Sequence, residues 1–119
     1  MIIPTTEWLQ PKEFPDLSKH EEIAIDLETR DPDLKSKGSG AIIGNGEVVG
    51  IAVAVTGWKG YYPIAHESGP NMDRKKVLEW FKDICECPAT KIFHNAMYDV
   101  SWIRNLGIKI NGLIIDTMI

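Results

Sequence analysis

Apolar residues alternate with polar or small ones from Glu22 to Glu28. Ile23, Ile25 and Leu27 fall on one side and Ala24, Asp26 and Glu28 on the other, the period of two expected of a half-buried strand. Residues 29–40 break the alternation with Pro32, Gly38 and Gly40 and are expected to form a loop. Asn45-Gly46 is a two-residue hairpin signal leading into Val48–Val55, an apolar run expected to be a strand buried on both faces. Gly57 turns the chain, and Gly60–Ile64 is a third strand, so that the three form an antiparallel meander. The period then changes. Val77, Leu78, Phe81, Ile84 and Cys85 recur at helical spacing over 73–86, with Asn71 or Asp73 as the cap. Lys91–His94 is a short strand. A second helix over 96–106 has Val100, Ile103 and Leu106 on its apolar side and Gly107 as its stop. Leu113–Ile119 is a strand running into the first turn of a further element.

The element order is therefore β-β-β-α-β-α-β, an α/β chain whose meander and crossover helices give a mixed sheet. That order is expected to be the beginning of a ribonuclease H-like fold, truncated before its C-terminal helices. Its 119 residues amount to one domain at most and read as a single partial domain. Residues 1–20, with Pro4, Pro11 and Pro15, are an irregular lead-in, and 21–119 are the structured portion. The apolar share of 44% and charged share of 25% are those of a soluble globular protein. No apolar run reaches the ~20 residues of a membrane helix, and no secretory signal opens the chain, so no membrane partner is expected. Cys85 and Cys87 form neither a disulfide framework nor a zinc site, which fits a reduced, cytoplasmic protein. The net charge of −4 argues against a protein that coats nucleic acid by charge. An acidic protein can still handle nucleic acid by holding divalent cations between its carboxylates and the phosphate.

Asp26 and Glu28, two apart on a strand, project from the same face and can share one hard divalent cation through oxygen ligands. Without a cation the two like charges repel. Asp-x-Glu alone is also common at solvated strand ends. Asn95 and Asp99, four apart, share a face of the second helix. At a helix start these residues also serve as an N-cap and as a partner of the helix dipole. That helix follows a strand expected to lie beside the Asp26 strand, so Asp99 can approach the Asp26–Glu28 pair. Three such carboxylates can hold two cations about 4 Å apart.

The chain resembles a known family at these positions. Ala24-Ile-Asp-Leu-Glu-Thr29 resembles the first exonuclease motif of the DEDD superfamily, and His94-Asn-Ala-Met-Tyr-Asp99 is similar to the second. Tyr61-Tyr-Pro-Ile-Ala-His66 and the segment from Leu106 through Ile115-Asp-Thr-Met118 resemble connecting parts of the 3′-5′ proofreading domains of family A DNA polymerases. The resemblance runs in order from about residue 22 to 119. It implies that Asp26, Glu28 and Asp99 are catalytic carboxylates binding two Mg²⁺ or Mn²⁺ ions. It further implies that Asn95 contacts the terminal nucleotide or its phosphate, and that Thr29 offers its backbone or hydroxyl to the 3′ end. The substrate so implied is a single-stranded DNA 3′ end, and the remainder of the polymerase chain is a partner. The family's third motif, a Tyr or His followed by Asp, does not occur in these residues. The chain alone is therefore expected to be nearly inactive and to self-associate through its C-terminal strand. A ribonuclease D-like RNA exonuclease and a catalytically incomplete scaffold are the rival expectations.

Other patterns carry no chemistry. Arg30 and Asp31 stand where a calcium loop starting at Asp26 needs a ligand and a glycine. Gly38-Ser-Gly-Ala-Ile-Ile-Gly44 misses the dinucleotide fingerprint, and no phosphate-binding P-loop is present. The tryptophans are expected in the core or covering it, and Arg74-Lys75-Lys76 on a solvated helix face.

Overall fold

The computed structural model describes residue 11 and residues 13–118, and the first ten residues of the expected lead-in lie outside them. The alternating segment forms strand β1, Glu22–Arg30, with Ile23, Ile25 and Leu27 buried and Asp26 and Glu28 half-buried on the other face. Strands β2, Glu47–Val55, and β3, Trp58–Pro63, complete the antiparallel meander. Helix α3, Arg74–Glu86, begins at Asp73, whose carboxylate accepts the Lys76 N–H at 3.2 Å. Strand β4, Thr90–Phe93, then pairs parallel to β1. Helix α4, Ala96–Asn105, leads to β5, Ile114–Asp116, parallel to β4. The five strands lie in the order β3-β2-β1-β4-β5, a mixed sheet as expected.

One core cluster joins Ile23, Ile25 and Leu27 to Val77, Phe81 and Ile84 of α3 and to Trp102 and Ile103 of α4. Both long helices therefore bury their apolar stripes against the β1 face opposite Asp26 and Glu28. Residues 13–20 pack there too: Leu17 is buried, Pro15 carbonyl accepts the Trp80 indole N–H at 2.8 Å, and Glu13 carbonyl accepts the Tyr62 hydroxyl at 2.9 Å. Lys91 is fully buried, with no carboxylate partner among the described residues. Its ammonium donates to the carbonyls of Cys87, Ala89 and Asn111, which satisfies its three protons and ties the β4 entry to the approach to β5. Arg74, Lys75 and Lys76 are exposed, as expected, and Trp80 and Trp102 are core.

Two local expectations change. The expected loop over 29–40 is not one: Thr29 and Arg30 still belong to β1, and single helical turns α1, Leu34–Lys37, and α2, Gly40–Ile43, follow. Asn45-Gly46 makes no two-residue hairpin. Asn45 instead closes the α2 turn, its N–H bonding Gly40 carbonyl at 2.8 Å and its amide donating to Asp33 at 2.6 Å. Strand β2 is buried on both faces only over its centre, residues 50–53, with Val49, Ala54 and Val55 half-buried.

Candidate active site

Strand register fixes which groups share the open face of the sheet. Asp26 is opposite Ala52, which is opposite Tyr61, while Glu28 is opposite Gly50. Asp26 and Glu28 therefore project side by side from the face that α3 and α4 leave uncovered. Their neighbours there, Ala24, Ala52 and Ala54, are small and leave room above the carboxylates.

Asp99 arrives from the side. Strand β4 pairs β1 only through Ala24, and beyond that point the β1 edge meets the start of α4. There the Leu27 N–H donates to Asp99 Oδ2 at 3.4 Å, replacing the missing strand partner. Asp99 is buried, and with Asp26, Glu28, Thr29 and Asn95 it lines one cleft of about 390 Å³, a size that accommodates a nucleotide. All five predicted site residues thus meet in one place. Among the described residues no group of three or more histidine, cysteine or acidic side chains is arranged so that it could hold a metal ion.

Desolvation dominates the electrostatics. Burial, then the charge of Asp26 and, less strongly, that of Glu28, pushes the Asp99 carboxyl up to about 7. Burial also raises Asp26 and Glu28, and the Asp26 charge raises Glu28 further. Burial and mutual repulsion thus disfavour ionising these three acids together.

Asn95 stands at the α4 N-cap with left-handed dihedrals (φ 69°, ψ 63°), a conformation that asparagine tolerates better than most residues. Its side chain does not cap the helix, contrary to one expectation. The capping carboxylate comes from β5: Asp116 accepts the N–H groups of Asn95 and Ala96, each at 3.0 Å, and that of Met118 at 2.9 Å. These bonds hold the Asp116 carboxyl below the usual range and leave the Asn95 side chain out of the helix cap. Replacing Asp116 by Ala is expected to lower both melting temperature and catalytic turnover, with Asp116→Asn, which keeps one acceptor, in between. An alanine variant indistinguishable from wild type in both assays would remove Asp116 from the site.

Thr29 follows a bulge between Glu28 and Thr29 and bonds Tyr98 Oη through its hydroxyl at 2.8 Å. Tyr98 in turn donates to Asp31 Oδ2 at 2.8 Å, so the proton between Thr29 and Tyr98 comes from Thr29. The Asp31 carboxylate also accepts the Gly40 N–H at 3.0 and 3.1 Å, where any Cβ at position 40 would collide with Asn45 carbonyl at 1.7 Å. The α1–α2 segment is thereby fastened to the cleft, and Leu34 and Met118, both exposed, give the cleft an apolar rim.

Comparison with known proteins decides the family. The model of the DNA polymerase A exonuclease family, described as 3′-5′ exonuclease, matches residues 2–119. The chain belongs to the 3′-5′ exonuclease family. A DNA-directed DNA polymerase of Pseudomonas phage M6 is 33% identical over 115 residues, an overlap taking in 88% of this chain and 17% of that polymerase. The mixed sheet is accordingly the ribonuclease H-like arrangement of an exonuclease domain, as the element order implied. In this exonuclease domain the residues singled out from the sequence, Asp26, Glu28, Thr29, Asn95 and Asp99, line one cleft, whereas the contacts of Tyr98, Asp31 and Asp116 were not foreseen. The signal for Asp116 was present in Ile115-Asp-Thr-Met118, where an acid sits at the end of a short strand. Its target, a helix start some twenty residues earlier, emerges only from the β4–β5 pairing.

Proposed function

We propose that this chain carries a metal-dependent 3′-5′ exonuclease site that removes nucleotides from single-stranded DNA 3′ ends and proofreads for a DNA polymerase. The observation that carries the reading is the convergence of Asp26, Glu28 and Asp99 on one cleft. An all-carboxylate donor set suits a hard cation such as Mg²⁺ or Mn²⁺, and the raised Asp99 pKa fits a site built around positive charge. Asp26, Glu28 and Asp99 would hold the ions. When bound, divalent cations supply an acidified water and stabilise charge on the phosphate and the leaving oxygen.

The protein's own groups bind and orient the strand. The Asn95 amide, released from capping, donates toward a phosphate oxygen or the terminal nucleotide. Thr29 meets the 3′ end through its backbone N–H or its hydroxyl oxygen, the hydroxyl proton being committed to Tyr98. Leu34 and Met118 present apolar surface against which an unpaired base can lie, which favours a frayed end over a duplex. The family match supports DNA over RNA as substrate.

The test is calorimetric melting with and without Mn²⁺. At a hundredfold excess over the dissociation constant, Mn²⁺ is expected to stabilise the wild-type fold by about 2.7 kcal/mol and Asp26→Ala hardly at all. Equal curves with and without Mn²⁺ in the wild type would dispose of the cation site.

A further inference from the structure

Across the sheet from Glu28 the side-chain position belongs to Gly50. A Cβ placed there would meet Tyr61 Oη at 1.9 Å and Cζ at 2.3 Å, so the end of the Tyr61 ring occupies the space beside Glu28 that a residue at 50 would otherwise fill. Tyr61 Oη lies 2.5 Å from His66 Nε2, with the two rings nearly perpendicular at 74°. The backbone of His66 is fixed at both polar groups by one side chain. Asn71 Oδ1 accepts its N–H at 2.8 Å, and Asn71 Nδ2 donates to its carbonyl at 3.0 Å. The next residue, Glu67, pairs at 3.3 Å with Arg30 at the end of β1. The electrostatics agree with this proximity: burial and then the Glu28 charge push the Tyr61 hydroxyl up to about 12, while His66 acts on Glu28 in the lowering sense.

We propose that Tyr61 and His66 are positioning residues for Glu28: the imidazole, clasped through Asn71, fixes the Tyr61 hydroxyl over Gly50, and the phenol keeps the Glu28 carboxylate in the cleft it shares with Asp26 and Asp99. This rests on the reading of the three acids as cation ligands. Neither residue touches the substrate or the reacting atoms. Gly50 is required because any side chain would displace the phenol. Of the two cap candidates in the sequence, Asp73 caps the helix and Asn71 serves this loop.

Mn²⁺ titration calorimetry on the full-length protein, paired with steady-state kinetics, separates positioning from anchoring. Tyr61→Phe keeps the ring over Gly50 and removes only the hydroxyl. It is expected to weaken Mn²⁺ binding about tenfold, in the range typical of groups that orient metal ligands. kcat should fall while KM for the strand stays near wild type. His66→Ala should behave alike, and His66→Gln, which restores a polar partner for the phenol, should recover most of the loss. In a Glu28→Gln background Tyr61→Phe should cost nothing further, because the two changes act through one carboxylate. The proposal is overturned if Tyr61→Phe and His66→Ala both bind Mn²⁺ within about twofold of wild type, or if the Tyr61→Phe loss is the same in the Glu28→Gln background. Either result would leave the pair as a loop anchor while the carboxylate reading stands. If the wild type binds Mn²⁺ no better than Asp26→Ala, the carboxylate reading itself fails and takes this proposal with it. Should Tyr61→Phe fail to fold, the comparison of His66→Gln with His66→Ala decides.

Discussion

Asp26→Ala in the full-length protein is expected to lower 3′-5′ degradation of single-stranded DNA on the order of a thousandfold or more. Asp26 lies between Glu28 and Asp99 electrostatically: its charge raises the pKa of both neighbours. Removing it takes a ligand from the proposed cation site and leaves two acids with less reason to bind a cation. The same change relieves repulsion in the metal-free fold. Asp26→Ala should therefore melt at the same temperature as wild type or higher near neutral pH without metal, which separates lost chemistry from lost folding. Asp99→Ala should be as inactive. The double variant should be little worse than either single one, because the carboxylates act as a unit. Degradation by Asp26→Ala within a few-fold of wild type would break the assignment.

The second large effect is on stability. The Asp99 carboxyl is raised from 3.8 to about 7 in the fold. Below pH about 4 it is protonated both folded and unfolded and contributes no pH dependence. From about 4 to about 7 the unfolded chain has released this proton and the folded protein retains it, so the metal-free fold loses stability as pH rises. Above that the loss is complete, at roughly 2 to 4 kcal/mol. Asp26 and Glu28 are shifted in the same direction and add to the slope. Asp99→Asn cannot ionise and should flatten the profile. Saturating Mn²⁺, which favours the ionised acids, should reverse it. Denaturant unfolding of the metal-free protein between pH 4 and 8 measures this. A wild-type stability that rises across that window and matches Asp99→Asn throughout would contradict the electrostatics of the site.

Much of this was legible in the chain because the signals were local. The two-residue period of Ile23, Ile25 and Leu27 set which face β1 buries, and hence that Asp26 and Glu28 share the other. The helical spacing from Val77 to Cys85 set the packing stripe of α3. The four-residue spacing of Asn95 and Asp99 put both beside the cleft. What was hidden depends on distant partners. Turns of four residues, such as α1 and α2, are too short to form by propensity. They are held through Asp31 by Tyr98 and Gly40, and by Asn105, which donates to Ala41 carbonyl at 3.2 Å. The left-handed backbone at Asn95 accompanies a cap supplied from another strand, so the usual reading of asparagine at a helix start pointed to the wrong capping group. The pairing of Tyr61 with His66 over Gly50 required both the register of three strands and the loop that follows them.

The most direct test of the central claim is a strand-polarity assay on the full-length protein. A 5′-labelled linear single strand and a circular single strand of the same sequence are incubated with Mg²⁺ or Mn²⁺, and in parallel with a chelator. The carboxylate cleft predicts a ladder of products shortened one nucleotide at a time from the 3′ end, an intact circle, and no reaction in the chelator. A cut circle, or a ladder that persists undiminished without divalent cations, would contradict it.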